Sequence, residues 1–248
     1  MELDCASLSH IGRRSNNEDA CCLLPELGLF VVADGMGGYE GGEIASRLAI
    51  DTVGEFVRRN AAGYDVTWPY PADRRLSPDE NEVAIATRLA SERITAARRG
   101  RLAQMGCTVA IARVRGERLV LGHVGDSRIY RLRGGALEQL TVDHSFHQAM
   151  LASGGDVPSR HLSPYAHMLT RALGTDAAAP DLRIETIAPG DVLLLCTDGL
   201  SNAVPEEVLA EHCGVVDLDD ACRALVAEAL ASGERDNITV ALIRARRT

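Results

Sequence analysis

Residues 108–140 read TVAIARVRGERLVLGHVGDSRIYRLRGGALEQL, a succession of short apolar runs separated by pairs that contain glycine. Three of the runs are rich in β-branched residues and predict strands: Thr108–Val114, Leu119–Val124 and Arg128–Leu132. The connections are too short to hold a crossover helix: Arg115-Gly116, Gly125-Asp126 and Gly134-Gly135. We therefore expect an antiparallel meander in this part of the chain.

Similar runs on both sides of the meander predict further strands at Leu29–Ala33, Val192–Cys196 and Ile238–Ile243. Helical periodicity predicts long helices at Gly42–Asn60 and Pro78–Leu102, the second with Ser77 as its N-cap, and shorter helices at Pro205–Cys213 and Asp219–Ala231. Residues Tyr64–Arg75 are interpreted as an irregular loop. Long helices inserted among antiparallel strands predict an α+β fold in which helices cover the sheets.

Composition limits the class of protein. The chain has 248 residues, of which 46% are hydrophobic, and we interpret residues 1–248 as a single domain. Its formal net charge of -9 argues against nucleic acid as a partner. Seven cysteines without C-x-x-C spacing indicate reduced thiols, and neither a leader nor an 18-residue apolar stretch is evident. We expect a cytoplasmic protein that does not bind membranes and is a monomer.

Acidic residues lie at the ends of the predicted strands. Asp34, Asp126 and Asp198 each follow a strand, whereas the pair Glu18-Asp19 precedes a further predicted strand, Ala20–Leu24, and Asp236 precedes the strand that ends at Ile243. In antiparallel sheets the end of one strand lies beside the start of its neighbour, so these groups are expected to meet at one edge. Carboxylates without interleaved Cys or His are the ligands of hard cations such as Mg²⁺ or Mn²⁺, and the pattern predicts a metal site.

Each acid also has a simpler explanation, because Asp-Gly pairs such as Asp34-Gly35 and Asp198-Gly199 are common turn formers. The glycine-rich segment 34–43 could also be interpreted as a nucleotide-binding loop. Glu40 stands where the dinucleotide fingerprint requires glycine, however, and no Gly-Lys-Ser/Thr follows. The glycines more plausibly let the backbone approach an ion, with the Gly35 carbonyl as a ligand.

Seven motifs resemble those of the metal-dependent protein phosphatases of the PPM or PP2C type, bacterial subtype, and occur in the family's order. They are Arg14-Ser-Asn-Asn-Glu-Asp19, Asp34-Gly-Met-Gly-Gly38, Gly125-Asp-Ser-Arg128, Asp143-His-Ser145, Leu169-Thr-Arg-Ala-Leu-Gly174, Cys196-Thr-Asp-Gly-Leu200 and Asp236-Asn-Ile-Thr239. Together they span nearly the whole chain. The resemblance implies a four-layer α-β-β-α sandwich of two antiparallel sheets flanked by helices.

The resemblance also implies residue roles. Asp34 would bridge two Mn²⁺ or Mg²⁺ ions, Glu18 and the Gly35 carbonyl would complete one site, and Asp198 with Asp236 the other. Asp126 with Asp198 would form a weaker third site, and Asp19 and Asn237 would support the ligands. Arg14 would bind the substrate phosphate, with Arg13 as the alternative because the spacing after Gly12 is one residue short.

Met36 separates this chain from the animal and plant members of the family, and two further features, His144 and residues 145–165, also need interpretation. Met36 occupies the place of a histidine that animal and plant members use as a candidate general acid, and a thioether cannot donate a proton. His144 is interpreted as capping the turn before Ser145. Residues 145–165 resemble the family's flap, where substrate selection is expected.

The leading hypothesis is hydrolysis of phosphoserine and phosphothreonine in proteins by a water that two metal ions activate. Its partners would be phosphorylated proteins, among them a Ser/Thr kinase and its substrates. Two alternatives stay open: a metal-dependent hydrolase of small phosphoesters, and an inactive module that binds phosphorylated segments. The second is disfavoured because Glu18, Asp34, Asp198 and Asp236 are all present.

Overall fold

The computed structural model describes residues 1–38, 40–63, 68–154, 157, 165 and 168–247. Its strands are β1 (Glu2–His10), β2 (Asp19–Leu24), β3 (Leu29–Met36), β4 (Gly106–Cys107), β5 (Val109–Arg115), β6 (Arg118–Val124), β7 (Arg128–Arg133), β8 (Ala136–Gln139), β9 (Asp181–Thr186), β10 (Val192–Cys196) and β11 (Ile238–Arg246). Its helices are α1 (Gly41–Ala61), α2 (Pro78–Ala97), α3 (Phe146–Ala152), α4 (Asp198–Ser201), α5 (Glu206–Cys213) and α6 (Leu218–Ala231).

The strands form two antiparallel sheets. The first has the order β1-β11-β10-β7-β8, and the second has the order β2-β3-β5-β6-β9 with β4 paired to β3. The predicted meander is therefore wrong at one point: β6 and β7 belong to different sheets. The chain changes sheets at Gly125, whose φ of 107° and closeness to Thr108 produce a sharp corner. Either side of that corner, the pairs β5-β6 and β7-β8 are antiparallel, as predicted.

Three hydrophobic clusters show the layer order. One lies between α1-α2 and the second sheet and includes Val53 and Ile111. A second lies between the two sheets, with Phe30 and Leu193 at its centre, and a third packs α5-α6 on the first sheet. The fold is thus the expected α+β sandwich of four layers, α-β-β-α. The interpretation of residues 1–248 as one domain stays a prediction.

The two long helices begin close to their predicted positions. Ser77 accepts a hydrogen bond from the backbone of Glu80, whose side chain returns to the Ser77 backbone, so a capping box begins α2. This helix ends at Ala97, five residues before the predicted end, because Arg98 leaves the helical conformation and a separate 3₁₀ turn covers Gly100–Leu102. None of the described helices is long and apolar enough to cross a membrane.

Some sequence predictions fall on residues that the structure does not describe. The predicted loop Tyr64–Arg75 lies outside the described residues at 64–67, and its remainder contains neither helix nor strand. Of the predicted flap, residues 145–165, the structure describes 145–154, 157 and 165, which include α3. The prediction of a flap at 155–156 and 158–164 lies outside the described residues.

Candidate metal centre

A cleft of about 410 Å³ opens where the strand ends of both sheets meet. Its described lining comprises Arg14, Glu18, Asp34, Gly35, Met36, Gly37, Gly38, Thr108, Asp126, Leu169, Asp198, Asp236 and Asn237. Every residue predicted as a metal ligand from the sequence is in this set, and so is Arg14. The structure therefore brings together groups that are up to 218 positions apart in the sequence, from Glu18 to Asp236.

Pairing between β2 and β3 brings the first two acidic segments together. Asp19 lies directly opposite Asp34 in the register of the two strands, and the Gly35 amide donates to the Glu18 carbonyl at 3.0 Å. A Cβ atom on Gly42 would lie 2.6 Å from the Glu18 carboxyl carbon, so a larger residue at this position would displace the Glu18 carboxylate. The glycine-rich segment thus permits close packing around the Glu18 carboxylate.

Asn237 connects the two chain segments that form one wall of the cleft. Its side-chain oxygen accepts from the Glu18 amide at 2.8 Å, and its side-chain nitrogen donates to the carbonyls of Ile11 and Asn16, both at 2.9 Å. Its own amide donates to Asp236 Oδ1 at 2.8 Å. Asn237 thus links the Glu18 and Asp236 segments, and its support of metal ligands stays a prediction.

Asp19 is a buried carboxylate next to the cleft. Its Oδ2 accepts from the Thr197 hydroxyl at 2.8 Å, and the residue is only 8% exposed. Burial raises the pKa of Asp19 to about 7, and the charges of Asp198 and Asp236 also raise it. Hydrogen bonds from Thr239 and Thr197 lower the pKa but do not offset these effects. Asp19 lies behind the cleft and is not among its described lining.

Asp34 is the focus of the negative charge. Burial raises its pKa well above the usual range, and the nearby charges of Asp19, Asp198, Asp126 and Asp236 add to the effect. Carboxylates that raise one another's pKa in this way are poorly compensated by the protein itself. A bound cation would offset the repulsion and favour the ionised form of Asp34.

Arg14 is the one basic side chain among the described residues that line the cleft. Its Nη2 lies 2.7 Å from Asp236 Oδ2, and its side chain is 56% exposed. The hydrogen bond to Asp236 raises the pKa of Arg14, so the group is a permanent cation. Arg13, the alternative phosphate ligand, is not in the described lining, and its amide donates to the Arg235 carbonyl at 3.2 Å.

The donor set fits a hard divalent cation. It consists of carboxylate oxygens and the Gly35 carbonyl region of the cleft wall, without thiol or imidazole. Within the described residues, no three His, Cys, Asp or Glu side chains are already arranged to hold a metal ion by themselves. Mg²⁺ and Mn²⁺ sites of this kind usually retain several waters, and a cleft of about 410 Å³ has room for them.

Sequence reasoning missed two residues that organise the acids. Thr108 accepts from the Asp34 amide at 3.0 Å through its hydroxyl, which also lies 2.6 Å from the Ser127 hydroxyl. Asn202 donates to Asp198 Oδ2 at 3.0 Å from the turn that follows α4. Thr108 was assigned only as a strand residue, and nothing in the local sequence distinguishes a hydroxyl that supports a ligand from one that packs in a sheet.

Comparison with known proteins identifies the family. A model of the family Protein phosphatase 2C matches residues 7–232, and the chain therefore belongs to that family. It is 34% identical over 228 residues to the serine/threonine protein phosphatase PstP of Mycobacterium tuberculosis, an alignment that covers 92% of this chain and 42% of PstP. Protein phosphatase PhpP of Streptococcus pneumoniae is 30% identical to this chain in an alignment of 253 residues, gaps included, that covers 97% of each chain.

Solved structures support the same relationship. The catalytic domain of the serine/threonine protein phosphatase PstP, in a crystal structure with two manganese ions, superposes on this chain with a TM-score of 0.84. The two chains are 32% identical, and the superposition covers 99% of each. The expected resemblance and fold are confirmed by these comparisons.

Proposed function

We propose that this chain hydrolyses phosphoserine and phosphothreonine in proteins with the help of bound divalent cations. The observation that carries the proposal is the cleft itself, in which five carboxylate residues converge beside one exposed guanidinium. Membership of the family and the two manganese ions in the PstP structure support it. The chain spans 42% of the length of PstP, so the activity, substrates and partners are proposed here from the cleft.

The proposed ligands divide the cleft into two main positions. Asp34 lies between them, Glu18 and the Gly35 carbonyl belong to one, and Asp198 and Asp236 belong to the other; Asp126 with Asp198 provides a weaker third position. Two Mn²⁺ or Mg²⁺ ions would lower the pKa of a shared water and offset the charge that develops on the phosphoryl oxygens. Asp19 and Asn237 hold the ligand-bearing segments in place.

Arg14 is the proposed ligand of the substrate phosphate. Its guanidinium lies at the exposed rim of the cleft, and a planar group with parallel N–H donors suits a phosphoryl group. Its present partner, Asp236 Oδ2, would share the guanidinium with the phosphate or release it when the substrate binds. The exposed pair is energetically weak enough to allow the exchange.

The proposed substrates are phosphorylated proteins, including a Ser/Thr kinase and proteins that it modifies. The cleft is open, so a phosphorylated side chain that projects from a protein segment can enter it. Small phosphoesters would fit the same cleft, and a phosphopeptide assay beside an assay on p-nitrophenyl phosphate separates the two substrate classes. A cytoplasmic location and a monomeric state stay predictions.

The test is turnover of a phosphothreonine peptide by the purified chain with Mn²⁺ or Mg²⁺, with excess chelator, and after Mn²⁺ is restored. We expect activity only in the first and third conditions. Turnover that persists in excess chelator would contradict the metal-dependent mechanism. Peptide binding without hydrolysis in all conditions would favour an inactive phospho-binding module.

A further inference from the structure

Two glycine corners connect the scaffold to the cleft. Gly12 lies two residues before Arg14, and Gly125 lies directly before Asp126. Their φ angles are 63° and 107°, in the region that favours glycine. A Cβ atom would lie 1.8 Å from the Asp236 carbonyl oxygen at Gly12 and 2.5 Å from the Thr108 methyl group at Gly125. Both corners are therefore held tightly against other parts of the site.

The amide of each corner glycine is bound by a histidine ring. The Gly12 amide donates to His10 Nδ1 at 2.9 Å, and the Gly125 amide donates to His144 Nδ1 at 3.1 Å. Neither histidine is among the described residues that line the cleft. An Nδ1 atom that accepts a hydrogen bond carries no proton, so the geometry assigns Nδ1 of both rings the role of acceptor.

We call each histidine, together with the glycine amide that it binds, a clamp. The clamp at Gly125 has more contacts than the clamp at Gly12. The His144 amide also donates to the Gly125 carbonyl at 2.7 Å, so the ring and the backbone of His144 bind both sides of the glycine. His144 Nε2 lies 3.0 Å from Asp181 Oδ2, and Arg171 binds the other oxygen of Asp181. Arg171 Nη1 also lies 3.3 Å from His144 Nε2, but the shorter contact to Asp181 and the Gly125 amide at Nδ1 together favour the tautomer in which Nδ1 accepts.

The clamp at Gly12 begins from a strand. His10 is the last residue of β1 and pairs with Ile238 of β11, the strand that directly follows Asp236 and Asn237. Its ring thus ties the loop that carries Arg14 to the strand pair beside Asp236. The Arg14 amide adds a second local contact, to the Ile11 carbonyl at 3.3 Å.

We propose that His10 and His144 are positioning residues, each of which holds the backbone of one functional side chain: His10 that of Arg14, and His144 that of Asp126. The inference rests on the proposed function for the roles of Arg14 and Asp126. It predicts two separable effects, because one clamp serves phosphate binding and the other serves cation binding. If the two histidines only stabilised the fold, replacing either one would weaken phosphate binding and cation binding together.

Two calorimetric titrations of the full chain test the proposal: Mn²⁺ into the cation-free protein, and inorganic phosphate into the protein saturated with Mg²⁺. His10→Ala should weaken phosphate binding about fivefold, the effect of one lost hydrogen bond, and leave Mn²⁺ binding unchanged. Asp126→Asn should remove one class of Mn²⁺-binding sites. His144→Ala should lower the affinity of that same class about fivefold and leave phosphate binding unchanged. Arg14→Ala provides the reference for phosphate.

Conservative variants separate positioning from packing. Asn places a carbonyl oxygen near the position of Nδ1, so His10→Asn and His144→Asn should recover most of the affinity lost in the alanine variants. His212→Ala is the matched control, since His212 lies in α5 beside Glu228, outside the described cleft lining. If His144→Ala does not fold, Asp181→Ala, which changes a side chain that is 57% exposed, should weaken the same Mn²⁺ class without changing phosphate binding.

Equal affinities in wild type and in the alanine variants would overturn the proposal. Parallel loss of both kinds of binding, or failure of asparagine to restore affinity, would also overturn it and leave only a structural role. If the wild-type chain binds neither Mn²⁺ nor phosphate, the proposed function itself fails. The titrations therefore distinguish the two failures without depending on turnover.

Discussion

Strand β10 has an aspartate near each end, and the two carboxylates have different charged neighbours. Asp191 directly precedes the strand, is 2% exposed and accepts two hydrogen bonds from Arg133, at 2.8 and 2.6 Å. Asp198 follows the strand after Thr197, is 8% exposed and lines the cleft with other carboxylates. Burial alone would raise the pKa of Asp191, but hydrogen bonds from Arg133 and the Ala188 amide lower it. In the cleft, the charge of Asp198 helps to raise the pKa of Asp34.

The difference indicates two uses of a buried carboxylate. At Asp191 the chain supplies its own cation, so the charge contributes to the folded state. In the cleft the only described arginine, Arg14, lies at the exposed rim against Asp236, and the other acids repel one another. An arrangement of that kind is costly to fold and is explained by cations that arrive from solution.

The largest expected effect concerns turnover. Asp198→Asn removes a proposed ligand charge while it keeps the shape of the side chain, so turnover of a phosphothreonine peptide should fall on the order of a hundredfold or more. The fold should be retained, as judged by circular dichroism. Asp51→Asn, an exposed change of the same charge on α1, is the control and should have no effect. Near-normal turnover of the Asp198 variant would place the chemistry elsewhere.

Substitution of Asp191, at the other end of β10, should lower stability without changing turnover. Asp191→Asn leaves Arg133 without its anionic partner, and the free energy of unfolding should fall by about 2–3 kcal/mol, the range for lost hydrogen bonds to charged groups. Urea denaturation measures the loss. Because Asp191 lies outside the cleft, turnover should stay at the wild-type level. A variant of wild-type stability would show that Arg133 does not neutralise Asp191 in solution.

His123 provides a third case, a buried titratable group that stays neutral. Burial lowers its pKa to about 4, with a smaller contribution from His144, whereas an unfolded histidine titrates near 6.5. Between these values the unfolded chain binds more protons, so stability falls as the pH falls. From pH 7 to pH 5 the free energy of unfolding should lose roughly 1–2 kcal/mol through this residue.

His123→Leu isolates that contribution. Urea denaturation at pH 7 and pH 5 should show a smaller loss of stability on acidification in the variant than in the wild type. Comparison of the two proteins cancels the contributions of Asp19 and Asp34, whose raised pKa values act in the opposite direction. An identical pH dependence would show that His123 does not titrate differently in the folded protein.

The smallest effect is expected at Met36, which lines the cleft but carries no proton. Met36→Ala should leave the acidic limb of the rate profile unchanged, because the thioether cannot serve as the general acid. The measurement is kcat/KM of a phosphopeptide as a function of pH. Loss of the acidic limb in the variant would mean that Met36 has a role in the protonation of the leaving group.

Much of the architecture could be predicted because it depends on local patterns. The runs that form β3, β5, β6, β7, β10 and β11 are mostly apolar and buried, and the acids at their ends do reach one edge. Strands β1 and β9 were missed because their residues are mostly exposed or half-buried, which leaves no continuous apolar run. The change of sheet at Gly125 depends on contact with Thr108, distant in sequence, and a short connection alone predicts a hairpin.

The candidate site shows the same limit. Carboxylates at strand ends could be found from position and residue type, and motif order added Arg14 and Asn237. The groups that orient them depend on hydrogen bonds across the fold, such as Thr108 to Asp34 and His10 to Gly12. Histidine at position 10 has no unusual sequence context, so its contact with the Arg14 loop becomes visible only in three dimensions.

The most direct test of the proposed metal centre is calorimetric titration of Mn²⁺ into cation-free wild type and Asp34→Asn, with thermal unfolding measured in parallel. We predict that Mn²⁺ binds and stabilises the wild type, that Asp34→Asn loses this binding, and that the cation-free variant is at least as stable as the cation-free wild type because a repelled, buried charge has been removed. Undiminished Mn²⁺ binding and stabilisation in Asp34→Asn would contradict the assignment of this cleft as the metal centre.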